Sequence, residues 1–203
     1  MSVPKLFPIE MSTEKKRKTL LTNIIKMLMN RDKIDRLKVE TSIDKIIPPL
    51  SYLDEYDIPT NTGIVKVKLF PHKITTISKN TDVYTFMKKN EAFQVIVVVS
   101  EYSTKRVQKD IQMFKNAEIF LQDELMINIV DHEMVPLHRI LNDEEKEEFK
   151  QRYKVKKIPR MLFNDPVARY YNAKVGDICK ITRASELSGE VITYRYVVPG
   201  ELK

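Results

Sequence analysis

Residues 93–99 read Phe-Gln-Val-Ile-Val-Val-Val, an apolar run that is β-branched from Val95 onward. A run of this length and composition predicts a central strand covered on both faces, since a half-exposed strand would alternate with polar residues. Upstream, Ile64–Phe70 (IVKVKLF) does alternate, with Val65, Val67 and Leu69 set against Lys66 and Lys68, which predicts a half-buried strand. Between the two, Thr81 is placed to cap a helix running to Asn90. Downstream, Thr104–Phe114 carries Val107, Ile111 and Phe114 on one helical stripe, and EIFLQ and LMINIV predict strand pieces near 118–121 and 125–130. At the front of the chain, residues 12–29 read as a helix capped by Ser12 or Thr13, with Leu20, Leu21, Ile24, Ile25 and Leu28 on its apolar stripe. A shorter helix is predicted from Ser42 to Ile47, stopped by Pro48-Pro49. Strand and helix alternate throughout, so residues 1–140 are expected to form an α/β domain with helices on both faces of a sheet.

The texture then changes. Asn142 and Glu145 stand in a capping-box arrangement that opens a helix, and the basic stretch KVKKIPR ends it at Pro159. Arg160–Phe163 reads as a short strand, Asp165-Pro166 as the start of a brief helix, and Ile178–Arg183 and Val191–Val198 as strands. Residues 141–203 are therefore expected to form a small α+β domain, with a hinge around Val135–Asn142.

Composition narrows function. The chain has 203 residues, a net charge of +7, one cysteine and four glycines. With so few glycines there is no GxGxxG and no GxxxxGK[ST], which excludes the common nucleotide-binding loops. Cys179 has no partner for a disulfide, which suits a reducing compartment. No run of 18 apolar residues and no apolar leader are seen, so neither a membrane span nor a secretory signal is expected. The charge is uneven: residues 110–133 hold six acids against Lys115, whereas residues 150–160 hold six bases and no acid. Such runs fit solvated faces before they argue for nucleic acid. Cys179 reads as a small buried hydrophobe, and His132 and His138 as surface residues with no third ligand, so no metal and no cofactor is expected.

Residues 158–198, IPRMLFNDPVARYYNAKVGDICKITRASELSGEVITYRYVV, resemble the assembly domain of the fifth subunit of eukaryotic DNA-dependent RNA polymerases, a domain that archaeal polymerases also contain. The resemblance rests on Pro159-Arg160, Asp165-Pro166-Val167-Ala168-Arg169-Tyr170, Gly176, Lys180-Ile181-x-Arg183, Ser185-Glu186, Gly189 and Thr193-Tyr194-Arg195. Upstream, Val97–Val99, Phe120-Leu121, Glu124-Leu125, Ile127–Ile129, His132-Glu133 and Val135-Pro136 are similar to the second half of that family's jaw domain, which archaeal members lack. Two departures stand out. The loop after the central strand reads Glu101-Tyr102-Ser103-Thr104-Lys105 where the family has Thr-Pro-Ser-Ala, and Leu187-Ser188 replace Thr-Ala.

The resemblance implies a non-catalytic polymerase subunit of the eukaryotic type, cellular or from a large DNA virus. It implies a jaw domain with a restriction-endonuclease-like sheet near downstream duplex DNA, and an assembly domain anchored on the largest subunit. The implied partner-binding residues are Asp165, Pro166, Arg169, Tyr170, Arg183, Ser185, Glu186, Tyr194 and Arg195. Arg supplies a planar fork for carboxylates and carbonyls, and Tyr supplies apolar area with a polar tip. Candidate phosphate contacts are Ser103, Thr104, Lys105 and Arg106 at a helix start, with Lys109 one turn on. Localisation follows origin: the nucleus if cellular, host cytoplasm and virion if viral. The rival reading is a free-standing basic DNA-binding or nuclease-like protein. Against nuclease chemistry, Lys66 and Lys68 lack an acid two residues before them, and Asp54, Glu55 and Asp57 are expected in a loop.

Overall fold

A computed structural model describes residues 12–31, 34, 54–102, 104–111, 113–153, 157–185 and 188–200. The chain divides into two compact units, Met1–Ile127 and Asn128–Lys203. The expected division at residue 140 lies inside the second unit, because Leu137–Ile140 is a strand of its sheet and not a hinge.

The first unit is built on a four-stranded sheet in the order β1-β2-β3-β4. β1 (Glu55–Thr60) and β2 (Gly63–Phe70) form an antiparallel hairpin, and β3 (Gln94–Val99) and β4 (Ala117–Leu121) run parallel to β2. Gly63, at φ 134°, takes the backbone conformation that closes the hairpin and that a side chain would disfavour. β3 is buried along both faces, as its composition predicts: Val95 through Val99 are all 0–1% exposed.

The register sorts the residues. Val95, Val97 and Val99 share a face with Lys66, Lys68, Phe70 and Ile119. That face packs against α2 (Asp82–Lys89) through Val83, Phe86 and Met87, and against α3 (Thr104–Ile111) through Val107. Lys68 lies there over the rings of Phe70 and Phe86, 5.2 and 5.1 Å from their centroids, and pairs with Glu55. Ile96, Val98 and Glu118 occupy the opposite face, which faces α1 (Thr13–Asn30). Arg31, at the end of α1, grips Glu118 with two hydrogen bonds of 2.9 Å, the two side chains being 4% and 13% exposed. Gln94 donates a third, at 3.0 Å.

Several expectations hold in detail. Ser12 caps α1, accepting from the Lys15 N–H, and Thr81 caps α2, accepting from Tyr84. Others do not. LMINIV is no strand: Gln122–Met126 is a short helix, α4, followed by a 3-10 turn at Ile129–Asp131. Glu124 accepts a hydrogen bond from the Leu121 N–H at 2.9 Å, so the acid that opens the segment closes the first turn of a helix. α3 ends at Ile111, three residues before Phe114. Glu55 and Asp57 lie in strand β1, not in a loop, directly across from Lys68 and Lys66. The helix expected at 42–47 falls outside the described residues.

The second unit is a four-stranded sheet in the order β5-β7-β8-β6. β5 (Leu137–Ile140), β7 (Ile178–Ser185) and β8 (Gly189–Val198) are antiparallel neighbours, and β6 (Arg160–Leu162) runs parallel to the end of β8. α5 (Asp143–Arg152) opens with the expected capping box: Asn142 Oδ1 accepts from the Glu145 N–H at 2.8 Å, and Glu145 accepts from the Asn142 N–H at 3.0 Å. One sheet face carries Met161, Cys179, Ile181 and Val197 and packs with Val167, Ala168 and Ala173 of the segment around α6 (Pro166–Tyr170). The other carries Ile178, Tyr194 and Tyr196 and packs with Leu141 and Phe149.

Arg31→Ala leaves Glu118 nearly buried without its countercharge. The expected result is a loss of about 3 kcal/mol or more in the unfolding free energy, read as a lowered midpoint in urea with an unchanged slope. A midpoint like that of the parent would show that Glu118 finds water or another donor.

Candidate partner and nucleic-acid interfaces

The C-terminal candidates start from α6. Asp165 accepts from the Val167 N–H at 2.9 Å, and Pro166 occupies the first helical turn, where no N–H is needed. Pro166 is exposed and Arg169 half-buried. Tyr170, in contrast, is 5% exposed, with its ring edge against Tyr171 at 5.2 Å, so it is a packing residue and offers little surface.

On the sheet, directly paired residues share a face. Arg195 lies across from Cys179 and Arg183 across from Val191, both on the α6 side. Tyr194 lies on the other side, its ring 4.5 Å from that of Phe149, which stacks in turn on Tyr153 at 4.7 Å. Either a partner or the unit's own helix could cover this strand on sequence grounds. For Tyr194 the cover includes α5. Ser185 is half-buried at the end of β7, and Glu186 falls outside the described residues. The candidates therefore do not form one patch: the two sheet arginines and Tyr194 are on opposite faces.

Electrostatics follows the packing. Burial pushes the Cys179 thiol up to about 11, which leaves it protonated and unreactive at neutral pH. His138 was expected on the surface, yet it is 9% exposed on β5, where its Nδ1–H donates to the Pro136 carbonyl at 2.6 Å. Burial is the largest influence and holds its pKa below the ordinary value of 6.5, with Arg195 and Arg183 pushing the same way and the Pro136 bond and Asp165 opposing. The Arg139 guanidinium, bound to Glu145 at 2.9 and 2.6 Å, together with the Asn142 N–H holds Glu145 below the usual carboxylate range. Hydrogen bonds from Lys146 to Asp177 and Asp143, the former at 2.8 Å, raise the lysine.

In the first unit, the candidate phosphate contacts occupy the helix start that follows β3. Thr104, Lys105, Arg106 and Lys109 all belong to α3, and Arg106 is exposed; Ser103 falls outside the described residues. Asp110 ties the helix to the loop after β2, accepting from the Ile77 N–H at 3.0 Å and from Thr76 at 3.4 Å. That loop also meets Glu101, through its carbonyl to the Ile74 N–H and its carboxylate to Lys73. A cleft of about 270 Å3 opens in the loop, lined by His72, Lys73, Thr76, Asn80, Thr81 and Asp82 among others. It lies at the carboxyl ends of the parallel strands β2 and β3, where open α/β sheets commonly place their binding crevices. No motif in the sequence marks His72, Lys73 or Asn80; the parallel pairing of β2 and β3, once known, is the signal that points to them.

Among the described residues no three His, Cys, Asp or Glu side chains are grouped to hold a metal ion, and no helix is long and apolar enough to cross a membrane.

Comparison with known proteins now gives this geometry a family. Residues 127–197, nearly the whole second unit, match the C-terminal domain of RNA polymerase Rpb5. The chain is 40% identical to the Dictyostelium discoideum protein named DNA-directed RNA polymerases I, II, and III subunit rpabc1, covering 72% of this chain and 77% of that one. It is 31% identical to DNA-directed RNA polymerase subunit 5 of Acanthamoeba polyphaga mimivirus, over 95% of this chain and 97% of that one. It is also 31% identical to subunit 5B of the Arabidopsis thaliana DNA-directed RNA polymerases IV and V, over 67% and 60% of the two chains. The chain belongs to the RNA polymerase subunit 5 family.

Two outcomes follow from the buried groups. In the folded protein at neutral pH, Cys179 should resist iodoacetamide and become labelled only on unfolding; prompt labelling would place it at the surface. His138 binds a proton more readily when unfolded, so its contribution to stability is full above its unfolded value near 6.5 and declines as pH falls below it. His138→Asn should flatten that decline in a series of urea titrations across pH 7 to 5.

Proposed function

We propose that this chain is a non-catalytic subunit of a multisubunit DNA-dependent RNA polymerase. Its second unit anchors on the largest subunit, and its first unit contributes to the lower jaw near downstream DNA. The observation that carries the reading is a coincidence of boundaries. The family match spans 127–197, and the chain independently divides between Ile127 and Asn128. A relative matching almost end to end, the mimivirus subunit 5, supports extending the reading to both units.

In this reading the two units are separate domains. The exposed residues of the second unit among the implied contacts, Pro166 and Arg183, together with the half-buried Asp165, Arg169, Ser185 and Arg195, meet the partner. Tyr170 and Tyr194 act by holding α6 and the sheet in shape. The start of α3 meets phosphates and not base edges, because a polymerase must traverse every sequence. Site of action follows origin, nuclear for a cellular polymerase and host cytoplasm and virion for a viral one.

Affinity purification of the tagged chain from its source, with mass spectrometry of what is recovered, tests the subunit role directly. Recovery of the large polymerase subunits in equal amounts is expected, and recovery of the chain alone would overturn it. Arg169→Glu is expected to keep the native circular dichroism spectrum and to weaken attachment by about 2 kcal/mol, or roughly thirtyfold. On duplex DNA of arbitrary sequence, Lys105→Glu with Arg106→Glu should lower the slope of log affinity against log salt by about 2 units. An unchanged slope would remove α3 from the contact.

A further inference from the structure

Among the described residues, no strand lies beside the outer edge of β8 before Tyr196. β8 pairs with β7 in one unbroken register, from Ile178↔Tyr196 to Ser185↔Gly189, so no bulge interrupts the alternation of its backbone groups. The Val197 N–H donates to the Asp177 carbonyl on the β7 side, and the Tyr196 N–H to the Pro159 carbonyl on the β6 side. Odd-numbered residues of β8 therefore bond inward to β7, and even-numbered ones turn outward. Outward, β6 covers only Tyr196, Val197 and Val198. The backbone groups of Ile192 and Tyr194 consequently face no strand among the described residues, whereas the Glu190 N–H is taken by the Ser188 carbonyl at 2.9 Å.

Soluble proteins blunt such edges with lysine, proline, bulges or a covering loop. This one has the strand-favouring sequence Val191-Ile192-Thr193-Tyr194, with Val191 39% and Ile192 48% exposed. The face beside the edge carries two arginines, Arg195 on β8 and Arg183 on β7. Neither makes an ion pair or side-chain hydrogen bond among the described residues. Outward backbone groups and two guanidiniums that meet no partner among the described residues, with exposed branched side chains, describe the complement of a missing strand.

We propose that the outer edge of β8, residues 190–194, receives an extended segment of another polymerase subunit as an added strand continuing the line of β6. The segment places an apolar side chain beside Ile192 on one face and a carboxylate toward Arg195 on the other. Main-chain hydrogen bonds to Ile192 and Tyr194 give the strength, and the alternation of apolar and acidic side chains gives the register. The inference rests on the subunit role above and names how attachment is made.

Amide hydrogen exchange on the full chain, free and within the purified polymerase, decides it. In the free chain the Ile192 and Tyr194 amides should exchange at least about tenfold faster than those of Thr193 and Arg195, which bond to β7. In the complex the first two should slow to match. Fast exchange that persists in the complex, or slow exchange in the free chain, would overturn the proposal. Ile192→Pro removes only an outward N–H and is expected to fold, yet to be lost from the polymerase, whereas Thr193→Pro breaks the ladder to β7 and should unfold the unit. A folded Ile192→Pro variant that assembles normally would sink the added strand while leaving the subunit role intact. Failure of the parent chain itself to recover polymerase subunits would end both. Should Ile192→Pro unfold, the exchange comparison on the parent chain still separates the two outcomes. A dimer of the parent chain by sedimentation, lost in the variant, would assign the edge to a second copy and refute the partner segment.

Discussion

Burial of β3 on both faces is the constraint around which the first unit is arranged. A strand of Val95 through Val99 has no polar face to give to water. It requires a strand on each side to satisfy its backbone and a helical layer above and below to cover its side chains. Parallel pairing with β2 and β4 supplies the first, and the crossovers it demands carry α2 and α3 on one face, while Arg31, just after α1, reaches Glu118 on the other. The Arg31–Glu118 pair then fixes the end of α1 against β4, where an unmatched carboxylate would be costly.

The same geometry places the residues proposed to meet phosphates. Parallel strands deliver the loops after β2 and β3 to one end of the sheet. The segment leading into α3 and the His72–Asp82 loop are neighbours there because of topology: Glu101 joins the two before the helix, and Asp110, in the last turn of α3, binds the loop again at Ile77. Across the hairpin, Glu55 and Asp57 neutralise Lys68 and Lys66. The basic alternation in β2 that catches the eye in the sequence is thus spent on cross-strand pairs and ring faces.

In the second unit the two faces of one sheet have different fates. The α6 side is closed by small and branched residues around Cys179, and the α5 side by the rings of Phe149, Tyr194 and Tyr196. Lys146, bound to Asp177, joins α5 to the turn before β7, so the helix is held at its start by charge as well as by Phe149. Among the described residues, what remains unpaired is not a face but an edge. This distinction matters for how a small domain attaches to a large partner, since an edge offers directional hydrogen bonds where a face offers only area.

The sequence by itself determined the elements with strong local signals. Ser12, Thr81, Asn142 and Asp165 cap helices because their side chains meet N–H groups within three residues, and the β-branched run at 95–99 is a buried strand whatever surrounds it. The family was equally legible, because Asp165-Pro166 and the residues that follow are spaced by local turns. LMINIV has an apolar composition that suits strand or helix, and a local bond between Glu124 and the Leu121 N–H closes the short helix that ends at its Met126. Tertiary structure decided the rest. Residues 137–140 looked like part of a hinge because four residues are too few to show a period, and only pairing with β7 makes them a strand. His138 and Tyr170 looked exposed because polar tips suit a surface, yet each lies on the inward side of its element. Which side of a strand or helix faces inward is fixed by its partners, and partners distant in sequence leave no mark on the residues they cover.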